Sequence, residues 1–288
     1  MLPMTGRHVV VTGGNSGIGL EAAAGLAVQG AHVIIAVRNA EKGARAVTEI
    51  RSRTGSETVE QMPIDLASLA SIRAFADAWR ARDEPVHVLL NNAGLVLHER
   101  SITADGFETT FGVNHLGHFL LTALLRDALV ASSPARVVTV SSGAHAGARH
   151  GLDFDDLMWE RRRYSGLGMG AYCASKLANV MFTRELARRF DGADVTANCL
   201  HPGFVGSNFA REGDGGRLGS IGMALLRPFA LSPKKGARTS IHVASAPELD
   251  GVTGEYFYKC QPAKVSKWAL DDDACGRLWN VSEQLVGL

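Results

Sequence analysis

Tyr172 and Lys176 stand four residues apart in the run Tyr172-Cys173-Ala174-Ser175-Lys176. On a helix that spacing puts both side chains on one face. A free phenol, with a pKa of about 10, is a poor base at neutral pH. An ammonium one turn away favours the phenolate and is expected to lower that pKa, which suits the pair to general acid/base work. The spacing is common on helix surfaces, so its weight depends on its company. Asn91-Asn92-Ala93-Gly94, Asn114 and Ser141-Ser142 supply that company, each at the end of a predicted strand or in the helix that follows one. His115 and His118 lie three residues apart on a predicted helix, without a carboxylate or third ligand nearby in sequence, and are not read as a metal site.

A second chemical feature opens the chain. The β-branched run Val9-Val10-Val11 leads into Thr12-Gly13-Gly14-Asn15-Ser16-Gly17-Ile18-Gly19, and an Ala-rich helical segment follows. Strand, glycine-rich turn and helix start together make a phosphate grip. The glycines admit a close backbone approach, and the helix start offers free N–H groups at the positive end of a dipole. The spacing Gly13-x-x-x-Gly17-x-Gly19 differs from the Gly-x-Gly-x-x-Gly dinucleotide fingerprint and points to one branch of nucleotide-binding proteins.

Alternating elements position these groups. Strands are expected at about 7–12, 31–37, 58–64, 86–91, 135–141, 195–201 and 255–258. Helices are expected at 17–29, 41–53, 68–82, 104–130, 170–190 and 273–286. Strand runs such as His32-Val33-Ile34-Ile35-Ala36-Val37 are almost wholly apolar, as strands buried on both faces require. The alternation predicts an α/β fold: a single-domain, Rossmann-type doubly wound parallel sheet of about seven strands over residues 1–288, flanked by helices on both faces. Two excursions break the rhythm, at 143–168 and 204–233. Both fall where ligands bind in such sheets. The second, with glycines among Leu218, Ile221, Met223, Leu225, Leu226 and Phe229, reads as a substrate loop or lid. Arg161-Arg162-Arg163 reads as a solvated face.

The 288 residues carry a formal net charge of +1 and are 46% hydrophobic, so the composition gives no sign of a nucleic-acid partner. No apolar run approaches the roughly 18 residues of a membrane span. No signal peptide or membrane anchor is read at the N-terminus, and four scattered cysteines read as reduced thiols, which suggests a cytoplasmic protein.

Taken in order, Thr12–Gly19, Asn91–Gly94, Asn114, Ser142, Tyr172-x-x-x-Lys176 and Pro202-Gly203 resemble the short-chain dehydrogenase/reductase family over nearly the whole chain. The resemblance implies a role for each position. Tyr172 would be the general acid/base. Ser142 would hydrogen-bond the substrate oxygen. Lys176 would hold the nicotinamide ribose and lower the pKa of Tyr172, and Asn114 would fix a relay water. Gly13, Asn15, Ser16, Gly17, Ile18 and Gly19 would hold the pyrophosphate side of the cofactor. Asp65 and Leu66 would contact adenine, and Asn92, Ala93 and Gly94 would flank its ribose. Pro202, Gly203, Val205 and Ser207 would hold the nicotinamide carboxamide, with Ser207 where the family often has Thr. NAD-specific relatives carry an acidic residue at the end of strand 2. Here Val37 is followed by Arg38-Asn39, which favours a 2′-phosphate and hence NADP(H) over NAD(H).

Tyr172–Leu186, His201–Gly203, Gly236–Ser240 and Arg277–Val281 narrow the resemblance to the branch of microsomal-type retinol dehydrogenases, with protochlorophyllide reductases and WW-domain oxidoreductases as looser kin. That branch implies a small apolar carbonyl or alcohol as substrate and, by analogy, a homodimer or homotetramer. The 142–172 segment is longer than in those relatives. The alternatives are an NADP-binding sensor or scaffold without turnover, against which the full Asn–Ser–Tyr–Lys set argues, and a sugar-nucleotide epimerase, against which the glycine spacing argues.

Overall fold

The computed structural model describes residues 2–164, 166–205 and 231–288. Its strands are β1 (His8–Thr12), β2 (His32–Val37), β3 (Val59–Pro63), β4 (Val88–Asn91), β5 (Ala135–Val140), β6 (Val195–His201), β7 (Tyr256–Tyr258) and β8 (Gln261–Pro262). They form one sheet in the order β3-β2-β1-β4-β5-β6-β7-β8, parallel except for the antiparallel β7–β8 pair. The chain reverses its direction of winding between β1 and β4, so a crevice opens at the carboxyl ends of those two strands.

Alternation along each strand splits the core between the two faces. Val9, Val11, Val33 and Ile35 pack on one side against α1 (Gly17–Val28), α2 (Ala40–Thr54) and α8 (Pro233–Ser245). Val10, Ile34, Leu89 and Val137 pack on the other against α3 (Leu69–Arg82), α5 (Gly117–Leu124), α7 (Met169–Arg189) and α9 (Asp272–Val286). Trp279 of α9 completes that second side by meeting Phe119 edge-on at 4.8 Å and stacking on Phe182 at 5.9 Å.

The described residues form eight strands where about seven were expected. The extra one follows a two-residue reversal in which Lys259 and Cys260 both have positive φ, 52° and 62°. Lys-Cys carries none of the Asn-Gly or Asp-Gly signal of such hairpins. The helix expected at 104–130 begins at Thr109 and is subdivided. A turn at 103–106, with Gly106 at φ 87°, and a bridge between Ile102 and Glu108 occupy the first part. The Glu108 carboxylate then caps α4 (Thr109–Phe111), accepting the N–H groups of Thr110 (2.9 Å) and Phe111 (2.7 Å). Gly112–Leu116 forms a π-turn, closed by the Gly117 N–H on the Gly112 carbonyl, before α5 and then α6 (Arg126–Ala131).

The 143–168 excursion holds a 3₁₀ turn (Gly143–Gly147) and a pinned loop. The Asp156 carboxylate accepts the backbone N–H groups of Glu160, Arg161 and Arg162 and the Arg162 guanidinium, which also lies 4.0 Å over the Trp159 ring. Arg162 is therefore a fixed loop component, not part of the solvated face expected for 161–163. At the amino edge of the sheet, His8, His32 and Glu84 bring donor atoms within 4.8 Å of one another. The Arg82 guanidinium already bonds both Glu84 and Glu60 there, which neutralises the carboxylate a cation would need.

Candidate active site

α7 follows a left-handed Gly168 (φ 71°) and carries Tyr172 and Lys176 across the end of β5. Lys176 is 2% exposed. Its ammonium donates to the Val140 carbonyl at 3.0 Å, and its own carbonyl accepts the Ser141 hydroxyl at 2.7 Å. These two bonds register the helix against the strand end. Ser142 comes next, with its Oγ accepting the Ala144 N–H at 3.1 Å and hydrogen-bonded to Tyr172. The Lys176 ammonium lies 5.7 Å from the Tyr172 ring centre. Ser142, Tyr172 and Lys176 are thus brought together, as the sequence implied.

Their electrostatics differ from expectation. Burial pushes the Tyr172 phenol up to about 12, with the hydrogen bond from Ser142 working in the opposite direction. Burial also holds the Lys176 ammonium down to about 8. Desolvation therefore outweighs the lowering of Tyr172 expected from Lys176, and Ser142 supplies the bond that favours the phenolate.

Asn114 sits inside the π-turn, fully buried. Its Oδ1 accepts the Leu95 N–H at 2.8 Å, and its Nδ2 donates to the Leu95 carbonyl (2.9 Å) and to Ser175 Oγ (3.0 Å). Asn114 therefore joins the loop after β4 to the helix that carries Tyr172.

The glycine loop fits a phosphate group. Gly13 and Gly17 have φ of 66° and 57°. A Cβ on Gly19 would run into the Gly13 carbonyl and Asn92 Nδ2, so only glycine lets α1 start this close to the loop. Asn39, Ser68, Ser232 and Asp271 each cap their helices with a side chain, but Ser16 makes no such bond at α1, and no acidic residue lies in its first turn. The Ser16 side chain thus leaves the first N–H groups of α1 uncapped, which suits this helix start to an anion.

The remaining predicted positions follow the carboxyl ends of their strands. Asn92 donates through Nδ2 to the Thr12 carbonyl at 2.8 Å, and Ala93 packs on Gly13. Gly94 continues that loop. Arg38 is exposed just past β2, and Asn39 spends its side chain on the Lys42 N–H at 2.8 Å as the cap of α2. Asp65 turns its carboxylate onto the Ala67 N–H (3.0 Å), and Leu66 packs under Gly117. Pro202, Gly203 (φ 90°) and Val205 follow β6, with Val205 bridging to Leu231 and touching Gly236. Ser207 and most of the 204–233 lid lie outside the described residues.

Sequence reasoning placed Thr12 in the glycine-loop motif and weighed His118 only as a metal ligand, and it did not foresee the contacts of Thr12, His118 or His145. The Thr12 hydroxyl accepts the N–H groups of both Asn92 (2.9 Å) and Ala93 (3.0 Å). His118 contacts that hydroxyl at 2.9 Å. His145 contacts the Ser142 carbonyl at 2.7 Å. Only the position of these residues beside recognised motifs could have signalled them.

Strand order and reversal point define the class: a doubly wound α/β fold of the dinucleotide-binding type. The family model for short chain dehydrogenases matches residues 7–151 and 162–215. Retinol dehydrogenase 12 of Homo sapiens is 47% identical over 285 residues, covering 99% of this chain and 88% of that protein. The WW domain-containing oxidoreductase of Homo sapiens is 43% identical over 288 residues, covering 98% of this chain and 68% of that protein. Among solved structures, an uncharacterised protein from Mycobacterium paratuberculosis superposes with a TM-score of 0.79 at 38% identity, covering 99% of this chain and 96% of that one. The Pseudomonas aeruginosa RhlG/NADP active-site complex superposes with a TM-score of 0.69 at 27% identity, covering 89% and 96%. The chain belongs to the short-chain dehydrogenase/reductase family, on its retinol dehydrogenase-like branch. Among the described residues, no helix is long and apolar enough to cross a membrane.

Proposed function

We propose that the protein is an NADP(H)-dependent oxidoreductase that exchanges a hydride with a small apolar carbonyl or alcohol, using Tyr172 as general acid/base. The observation that carries this reading is the Ser142–Tyr172 hydrogen bond beside buried Lys176, at the carboxyl edge of the sheet. The nicotinamide supplies the hydride chemistry, and the protein's part is to bind, orient and move one proton. Tyr172, raised by burial, carries its proton at neutral pH and can give it to a carbonyl oxygen. Ser142 Oγ, already accepting the Ala144 N–H, keeps its own proton for an oxygen acceptor. Lys176 contributes a fixed cation that favours the phenolate left behind.

Gly13, Asn15–Gly19, Asp65, Leu66, Asn92–Gly94, Pro202, Gly203, Val205 and Ser207 would line the cofactor. Arg38 would take its 2′-phosphate. The choice of NADP(H) is supported by Arg38 in the place of a strand-end carboxylate and by the NADP in the 27% identical RhlG complex. An apolar substrate is supported by the 47% identity with human retinol dehydrogenase 12.

The test is a panel of apolar aldehydes and ketones, retinal included, followed by NADPH absorbance. Tyr172→Phe is expected to lower kcat at least ~100-fold while NADPH still binds. Arg38→Asp is expected to reverse the preference between NADPH and NADH. No turnover of any panel member with either cofactor would sink the enzyme reading, and an unchanged preference in Arg38→Asp would sink the cofactor assignment.

A further inference from the structure

We propose that His118 and His145 are positioning residues, both held as the Nδ1–H tautomer, that fix the backbone carbonyls of Asn114 and Ser142. The functional part of this inference rests on the reading of Ser142 and Tyr172 given above. Nothing in that reading uses either histidine.

The protonation of each ring follows from counting donors. His145 Nε2 faces the backbone N–H of Ser266 at 3.2 Å. A backbone N–H can only donate, so Nε2 is the bare nitrogen and the proton of the neutral ring sits on Nδ1. That Nδ1–H donates to the Ser142 carbonyl at 2.7 Å, and the same carbonyl also accepts the His145 N–H at 3.1 Å. Ser142 therefore begins its 3₁₀ turn with its carbonyl held twice, which fixes the backbone from which its hydroxyl reaches Tyr172.

The count at His118 runs through Thr12. The Thr12 hydroxyl accepts two backbone N–H groups, from Asn92 and Ala93, which uses both of its lone pairs. Its own proton then has two candidate acceptors, His118 Nε2 at 2.9 Å and the Leu90 carbonyl at 3.4 Å, and the histidine is the nearer. A third donor into Thr12 would have no lone pair to meet, so His118 Nε2 accepts. The Nδ1–H is left to donate to the Asn114 carbonyl at 3.1 Å.

The two rings thus do the same job. Each takes a donor from a distant segment on Nε2 and gives a donor from Nδ1 to a carbonyl of a site residue. Through Thr12, His118 couples the end of β1 and the loop after β4 to the π-turn. His145 couples the segment after β8 to the turn that carries Ser142. Both rings are enclosed, at 1% and 4% exposure, and burial favours their neutral form. A fixed tautomer in a dry setting gives directional support that a flexible amide or hydroxyl would not.

Asparagine and glutamine separate this role from plain packing. The Nδ2 of asparagine lies about where Nδ1 of histidine lies and can donate to the same carbonyl. The Nε2 of glutamine matches only the far nitrogen. With NADPH and a panel aldehyde, His145→Asn is expected to keep kcat within about threefold. His145→Gln and His145→Leu are expected to lose ~30- to 100-fold in kcat, with NADPH affinity by direct fluorescence titration unchanged. His118→Leu is expected to weaken NADPH binding about tenfold, because the Asn114 carbonyl loses its donor and the Thr12 proton its acceptor, and His118→Asn, which restores only the donor to the Asn114 carbonyl, to recover part of it.

Imidazole nitrogen-15 spectra of the wild type read the tautomers without any turnover, and Nδ1–H is expected for both rings. Nε2–H signals would overturn the proposal. So would wild-type kcat in His145→Leu, or a loss in His145→Asn as deep as in His145→Gln. Should the leucine variants fail to fold, the asparagine and glutamine pair decides. A wild type that turns over nothing while showing both Nδ1–H signals would overturn the enzyme reading and leave the tautomer assignment standing.

Discussion

Asn114 and Leu95 hold each other through two hydrogen bonds, side-chain Oδ1 to the Leu95 N–H at 2.8 Å and side-chain Nδ2 to the Leu95 carbonyl at 2.9 Å. The amide pairs with one residue of the post-β4 loop as a neighbouring strand would. Asn114→Ala leaves a buried donor and acceptor unmet, and its expected cost is about 2 kcal/mol in urea unfolding. Asn114→Asp sets a carboxylate oxygen against the Leu95 carbonyl and is expected to cost at least as much. An Asp variant as stable as the wild type would show that the paired bonds do not matter.

Gly19→Ala tests the phosphate cradle. The added Cβ meets the Gly13 carbonyl and Asn92 Nδ2, so the start of α1 must move away from the loop. The expected result is a folded protein whose NADPH dissociation constant rises at least ~10-fold. Gly276→Ala, where the new Cβ meets nothing within 4 Å, is the control and is expected to leave binding unchanged.

On the proposed function, Lys176 is expected to set the pH profile of carbonyl reduction. Burial lowers its pKa to about 8, so the ammonium is present at neutral pH and is lost as pH rises through that value. Tyr172, at about 12, stays protonated across the same range. Stopped-flow reduction is therefore expected to be flat near neutrality and to fall above about pH 8. A break only near 10, the ordinary lysine value, would contradict the role given to burial.

Acid should destabilise the fold through its buried histidines. Burial lowers His115 to about 3 and His118 to about 4, against an ordinary value of about 6.5 in the unfolded chain. The folded pKa is the lower one, so this stability is fully present above about pH 6.5 and is lost as pH falls toward 4. Each ring contributes on the order of 3 kcal/mol at neutrality. Urea midpoints measured from pH 7 to pH 4 are expected to drop steeply, and His115→Phe is expected to flatten part of that drop.

Tyr164 tests the ordering of the loop before α7. Its hydroxyl bonds the buried Glu108 carboxylate at 3.1 Å and the Leu97 carbonyl at 3.3 Å. Tyr164→Phe is expected to cost about 1–2 kcal/mol and to expose the 152–168 segment to limited proteolysis. Equal protease resistance in the variant would show that Asp156 and Arg162 hold the loop alone.

What could be read from the sequence has a physical pattern. Strands such as 32–37 were legible because burial on both faces demands uninterrupted apolar residues. The glycine loop and the Tyr172–Lys176 pair were legible because few residue types can do those jobs at those spacings. The π-turn at 112–116, the order of the 152–164 loop and strand β8 were not. Each depends on contacts distant in sequence, such as Leu66 under Gly117 and Tyr164 on Glu108, or on non-glycine residues driven to positive φ at 259 and 260. The electrostatics of Tyr172 were misjudged for a related reason: helical spacing tells of neighbours but not of desolvation.

Helix α9 has a consequence for how the molecule comes to be made. Trp279 closes the Phe119 and Phe182 side of the core, and the Arg73 guanidinium of α3 bonds the carbonyls of Val286 and Gly287 at 2.7 and 3.1 Å. Arg73 and its two acceptors are separated by more than 200 residues of chain. At a synthesis rate of about 5–20 residues per second, the apolar face of α7 waits roughly 5–20 s for the helix that covers it. The nucleotide-binding half can collapse early from local β–α contacts, but one side of the sheet stays sticky until α9 has been made. During that interval the uncovered face is what a holding chaperone would bind, and changes in α9 are expected to act on yield before they act on chemistry.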